Sequence, residues 1–93
     1  MSAMKVSVIV CAYNAEHRIK PTLEHLCLQD VPPDTPWEVV LVDNASTDRT
    51  AVTARESWRL DRVPGIVSQE SRPGQMFARE RGIATANGEY LLF

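Results

Sequence analysis

Two short, almost uninterrupted apolar runs constrain the fold of this chain more than any other feature. Lys5 to Ala12 reads KVSVIVCA and Trp37 to Asp43 reads WEVVLVD. Both are rich in β-branched residues and lack the polar alternation of a strand with one wet face. They suit strands covered on both faces, as in a parallel sheet between helices. A third, shorter run, Gly65 to Glu70 (GIVSQE), reads as another strand, and Glu89 to Phe93 (EYLLF) opens a fourth.

Helical patterns fall between the strands. From about Glu16 to Gln29, residues Ile19, Leu23, Leu26 and Cys27 recur at helical spacing and make one apolar stripe. Pro21 is compatible only with the first turn, so the regular helix is expected to start near Lys20. Val31 to Pro36 carries three prolines and reads as an extended loop. A second helix is expected from about Arg49 to Leu60, with Val52, Arg55 and Trp58 on one side and Asp61 to Gly65 ending it. Ser46 and Asp48 are expected to cap it. A third helix is expected from Gln75 to Ala86, with Met76 and Phe77 in the core and Asn87-Gly88 as a left-handed stop. The order β-α-β-α-β-α-β predicts an α/β fold with a mostly parallel, open, Rossmann-like sheet and right-handed crossovers.

The length of 93 residues, 44% of them hydrophobic and 24% charged, is that of one small globular domain. A net charge of −2 with no basic cluster argues against nucleic acid as a partner. The run Val6 to Ala12 is too short to span a bilayer, and the N-terminus lacks a signal-peptide pattern. A cytoplasmic location is the default expectation, with membrane association through a C-terminal part left open. Cys11 and Cys27 read as small buried hydrophobes in a reducing compartment. His17 and His25 have no partner at metal-ligand spacing, so no metal site is expected in the chain.

Ligands of open α/β sheets bind at the carboxyl ends of the strands. The residues there are Ala12, Tyr13 and Asn14, then Asp43, Asn44 and Ser46, then Glu70, Ser71 and Arg72. This set suits a nucleotide. Tyr13 offers a flat face to a base, and Asp43 and Asn44 offer acceptors to a base N–H or to ribose hydroxyls. Arg72, Arg79 and Arg81 carry guanidinium forks apt for a diphosphate, although Arg72 and Arg81 read more simply as surface charges. Neither GxGxxG nor GxxxxGK[ST] occurs, and the first β-α turn has no glycine, so phosphate must be held by other means, such as a metal with arginines.

Three strings in this order resemble family 2 glycosyltransferases of the GT-A fold. They are VSVIVCAYNAE, WEVVLVDNASTDRT and RPGQMFARERGIATANGEYLLF, together covering the chain from about Lys5. The last matches the family's pattern at Gly74, Ala78, Arg79, Gly82, Ile83, Ala86, Gly88, Glu89 and Tyr90. The resemblance implies transfer of a sugar from a nucleotide-diphosphate sugar, with a UDP-sugar favoured, to an acceptor hydroxyl. It implies nucleotide binding by Ala12, Tyr13, Asp43, Asn44 and Arg79. It also implies a Mg²⁺ or Mn²⁺ ion held by an acidic motif expected after Phe93, so that residues 1–93 form the nucleotide-binding part of a GT-A domain, bind no metal alone and are expected to be inactive in sugar transfer by themselves. Glu80 stands where the family often has Asn, and Asn44 where many members have a second Asp. Two other readings compete. A nucleotidyltransferase wants a glycine-rich, basic loop after the first strand, and AYNAEHR is not one. The other is a non-catalytic α/β domain, such as a regulatory or scaffolding module or a degenerate fragment, against which titration with UDP and Mn²⁺ is the check. A small sheet of this kind is also expected to be marginally stable or to self-associate.

Overall fold

The computed structural model describes residues 4–29, 31–58 and 63–93. Its elements follow the order read from the sequence: β1 (Val6–Ala12), α1 (Ile19–Cys27), β2 (Trp37–Asn44), α2 (Thr50–Ser57), β3 (Gly65–Glu70), α3 (Gln75–Thr85) and β4 (Tyr90–Leu92). The strands form one four-stranded sheet in the order β3-β2-β1-β4. All three pairings are parallel. The chain steps outward from β1 to β3 and then returns to the far side of β1, which puts the switch in strand order at β1.

β2 is the central strand, and every residue from Glu38 to Asn44 is buried. That continuity is why its sequence does not alternate. Its side chains still point alternately to the two faces. Leu41 joins Ala12, Ile19, Leu23 and Ala54 in one core. Val40 and Val42 join Ile9 and Ala78 in the other. The helix α1 buries Ile19, Leu23 and Cys27, one residue per turn, with Leu26 packed at the margin. Pro21 sits in its first turn, where the missing N–H costs nothing.

Several expectations are corrected. α2 ends at Ser57, because Trp58 is already extended at φ −74° and ψ 132°. The expected continuation to Leu60 lies outside the described residues. The buried face of α2 is Thr50, Ala51 and Ala54, whereas Val52 is exposed. Trp58 swings back instead, donating its indole N–H to the Val63 carbonyl at 2.9 Å.

α3 is also rotated from the expected face. Met76 is 74% exposed and Phe77 only half-buried, while Ala78 and Gly82 face the sheet. Small residues win that face because the helix lies so close to β1. A methyl group at Gly82 would stand 2.5 Å from Cγ2 of Ile9. Nor does α3 end in a left-handed residue. Ala86 turns extended at φ −66° and ψ 145°. The only glycine with positive φ among the described residues is Gly74. Gly88 is needed for space: a methyl group there would meet the Ser7 backbone nitrogen at 2.6 Å.

Cys11 is exposed, not buried, while Cys27 is buried as expected. Cys11 ends the face of β1 that looks toward α3, where its neighbours Gly74 and Ala78 are too small to cover it.

Candidate functional site

The carboxyl rim of the sheet is built by two turns stitched together. Asn14, at φ 47°, accepts the Thr47 N–H on its side-chain oxygen at 2.8 Å. Its own N–H donates to the Ser46 hydroxyl at 2.9 Å. The Ala15 N–H donates to the Thr50 hydroxyl at 2.8 Å. Ser46 is therefore a bridge between the β1-α1 and β2-α2 turns, not the helix cap expected of it. Asp48 does accept the first helical N–H, that of Thr50, at 3.0 Å, and its other oxygen accepts the Glu16 N–H at 3.3 Å. The Thr50 hydroxyl bond, with these N–H donors, lowers the Asp48 pKa below its ordinary value. The run NASTDRT thus fixes the position of Tyr13 relative to Asp43.

Ala12 and Asp43 are register partners, and Asp43 pairs in turn with Gln69 on β3. Around this row lie two cavities. The first, of about 430 Å³, is lined by Cys11, Ala12, Tyr13, Asn44, Pro73, Gly74, Gln75 and Ala78. Tyr13 is 60% exposed, with its ring on the wall of this cavity. The second, of about 390 Å³, is lined by Asp43, Ala45, Ser46, Gln69, Glu70, Ser71 and Arg81. Of the five residues expected to bind nucleotide, Ala12, Tyr13 and Asn44 share the first cavity, and Asp43 lines the second. Arg79 lines neither; it is exposed on α3 beside Ala78, its guanidinium 5.6 Å from the centre of the Phe93 ring.

Asp43 is only 4% exposed. One carboxylate oxygen, Oδ2, accepts from Nε2 of Gln69 at 3.4 Å, and the other, Oδ1, is buried without a hydrogen-bond partner among the described residues. An unpaired buried polar atom is costly, and native proteins keep few of them outside functional sites. Asn44 is the opposite case. Its amide N–H₂ donates to the Arg72 carbonyl at 2.8 Å, and its oxygen accepts the Gly74 N–H at 3.1 Å. It holds the β3-α3 loop in place, and an Asp there could not make the bond to Arg72.

Glu70 is buried between two arginines. Arg72 Nε lies 3.0 Å from one oxygen and Arg81 Nε 3.3 Å from the other. The Arg72 guanidinium and backbone N–H hold the Glu70 carboxyl down at about 2, against burial and with help from Arg81. Arg72 also stacks on Phe77, 4.3 Å from the ring centre. Both arginines are thereby committed to the fold, so neither is placed for a diphosphate without breaking an ion pair. Among the described residues, no group of three or more His, Cys, Asp or Glu is gathered as metal ligands. With Glu70 taken by arginines, the carboxylates of this rim do not fit a divalent cation, which would need ligands other than these.

Sequence reasoning gave no site role to Gln69, Cys11, Pro73 or Gln75. Gln69 was legible in principle, as the residue opposite Asp43 once β2 and β3 are paired.

Residues 7–93 match the family model described as glycosyl transferase family 2. Dodecaprenyl-phosphate galacturonate synthase of Rhizobium johnstonii is 33% identical over 92 residues, which are 98% of this chain and 27% of that protein. Poly(ribitol-phosphate) beta-N-acetylglucosaminyltransferase TarS of Staphylococcus aureus is 38% identical over 92 residues, 97% of this chain and 16% of that protein. The crystal structure of S. aureus TarS residues 1–349 in complex with UDP superposes with a TM-score of 0.82 at 38% identity, covering 97% of this chain and 26% of that one. The chain therefore spans only a minor part of the length of these relatives.

Proposed function

The chain belongs to glycosyl transferase family 2, and from that premise we propose that residues 1–93 form the nucleoside-binding part of an enzyme that moves a sugar from a nucleotide-diphosphate sugar to an acceptor hydroxyl. The observation that carries this reading is the buried Asp43 carboxylate with an unpartnered oxygen, one residue along β2 from the cavity that Tyr13 walls. Asp43 is the acceptor for a base N–H or a ribose hydroxyl. Tyr13 is the stacking surface, and Ala12 is small enough to let a ring approach the strand end. Asn44 acts by holding the β3-α3 loop that forms the opposite wall. Arg79, exposed on α3 next to Ala78 and outside both cavity linings, is the cation for phosphate oxygens that extend beyond the cavity.

TarS is solved with UDP and with UDP-GlcNAc, which favours a uridine nucleotide here as well. Among the described residues no helix is long and apolar enough to cross a membrane. We place the reaction on the cytoplasmic side, which the free thiols of Cys11 and Cys27 support. The Mg²⁺ or Mn²⁺ of the family's chemistry would neutralise the diphosphate leaving group.

The test is an NMR titration of the 93-residue chain with UDP, in the presence and in the absence of Mg²⁺. Saturable shifts at Tyr13, Asp43 and their neighbours are expected at millimolar ligand. Asp43→Asn, which replaces an acceptor oxygen by a donor, is expected to weaken binding by about tenfold. No UDP-dependent shift at millimolar ligand would remove the reading.

A further inference from the structure

We propose that Gln69 is a specificity-determining residue that biases the rim toward uracil and against guanine. The inference rests on the reading of Asp43 as the base acceptor. Asp43 and Gln69 are register partners on neighbouring parallel strands, so their side chains leave the sheet on the same face. Both line the polar cavity of about 390 Å³. Gln69 Nε2 donates one hydrogen to Asp43 Oδ2, and Oδ1 is left buried and unpartnered.

The consequence follows from hydrogen-bond patterns. A carboxylate with two free oxygens presents adjacent acceptors, which complement the adjacent N1–H and N2–H donors of guanine. Here Oδ2 already accepts from Gln69, so guanine would have to share that oxygen with the amide or displace it, which disfavours the bidentate arrangement. The unshared acceptor is Oδ1, beside an amide whose second hydrogen has no partner among the described residues. An acceptor beside a donor complements the N3–H and neighbouring carbonyl of uracil. Gln69 is itself exposed at the strand end, so this choice is made by a side chain the core does not need.

Removing the amide should act on the two bases in opposite directions. Uracil loses the partner for its carbonyl, while guanine gains a second carboxylate oxygen. The experiment compares UDP and GDP binding by NMR titration for the 93-residue chain and for Gln69→Ala, Gln69→Met and Asp43→Asn. Unaltered protein is expected to favour UDP, and Gln69→Ala to narrow the UDP-to-GDP affinity ratio by roughly tenfold. Gln69→Met, which keeps the length but offers no donor and no charge, is expected to weaken UDP as Gln69→Ala does, and it serves if the alanine variant does not fold. An unchanged ratio in the Gln69 variants, with UDP binding still sensitive to Asp43→Asn, overturns the role of Gln69 alone. UDP binding indifferent to Asp43→Asn, or a preference of unaltered protein for GDP, overturns the inference, and the former also removes the Asp43 reading beneath it.

Discussion

Gly82 shows how a single residue sets a distance in this molecule. It lies one turn after Ala78 and one before Ala86 on the face of α3 that meets Ile9 and Val42. An added methyl group would lie 2.5 Å from Ile9 Cγ2, a branched core side chain with little room to move, and 3.5 Å from Val42 Cγ2. Gly82→Ala gains about 1 kcal/mol of helix propensity and loses about 1–3 kcal/mol to overpacking. The expected net is a loss of about 1 kcal/mol, read as a fall in Tm of about 4–8 °C in a domain of this size. A rise in Tm would mean that α3 can lift from the sheet at no cost. Ala45 shares with Asn14 the left-handed backbone region that side chains disfavour, at φ 55°, held there while its N–H donates to the Glu70 carbonyl at 2.8 Å.

At the scale of elements, β4 and the end of α3 are tied to the amino edge of the sheet through one carboxylate. Glu38 accepts the Ser7 hydroxyl at 2.6 Å, the Asn87 backbone N–H at 2.7 Å and the Asn87 amide at 3.2 Å. The Gly88 N–H donates to the Ser7 hydroxyl at 2.8 Å. Burial pushes the Glu38 carboxyl up, but these hydrogen bonds outweigh it and leave its pKa below the ordinary value of 4.5. A carboxyl depressed on folding contributes stability that is complete above its unfolded pKa and is lost as pH falls through its folded pKa. The contribution of Glu38 is thus expected to fade below pH 4.5, whereas that of Glu70, held at about 2, persists to lower pH. Glu38→Gln is expected to destabilise the chain at neutral pH by about 2 kcal/mol. It should also flatten the decline of stability just below pH 4.5 in urea melts taken across pH. An unaltered pH profile in Glu38→Gln would show that the network contributes nothing.

The whole molecule is a sheet unevenly covered. Met76, Ile83, Tyr90, Leu92 and Phe93 are all more than half exposed. β4 is an edge strand of three residues, paired on one side with β1. Exposed apolar side chains beside an unpaired strand edge are a template for association. The free chain is expected to self-associate as its concentration rises, measured by light scattering behind a sizing column, and Leu92→Lys is expected to shift it toward monomer. A monomer at every concentration, with a sharp reversible melt, would contradict this.

The order of elements, the parallel sheet, the buried run of β2 and the apolar stripe of α1 were legible in the residues, because strand burial and helical period are local patterns. So were the positions of Tyr13 and Asp43 at one rim, since a parallel strand ends where its apolar run ends. The sequence could not show that α3 turns Ala78 and Gly82 inward and Met76 outward, for that depends on how closely the helix approaches Ile9. It could not show that Asn44 spends its amide on the Arg72 carbonyl and the Gly74 N–H, or that Arg72 and Arg81 are drawn to Glu70. Nor could it show that Gln69 occupies one oxygen of Asp43 and leaves the other bare. Periodicity along a chain fixes which way a side chain faces, but its hydrogen-bond partners are supplied by residues distant in sequence, and only the packed structure brings them within reach.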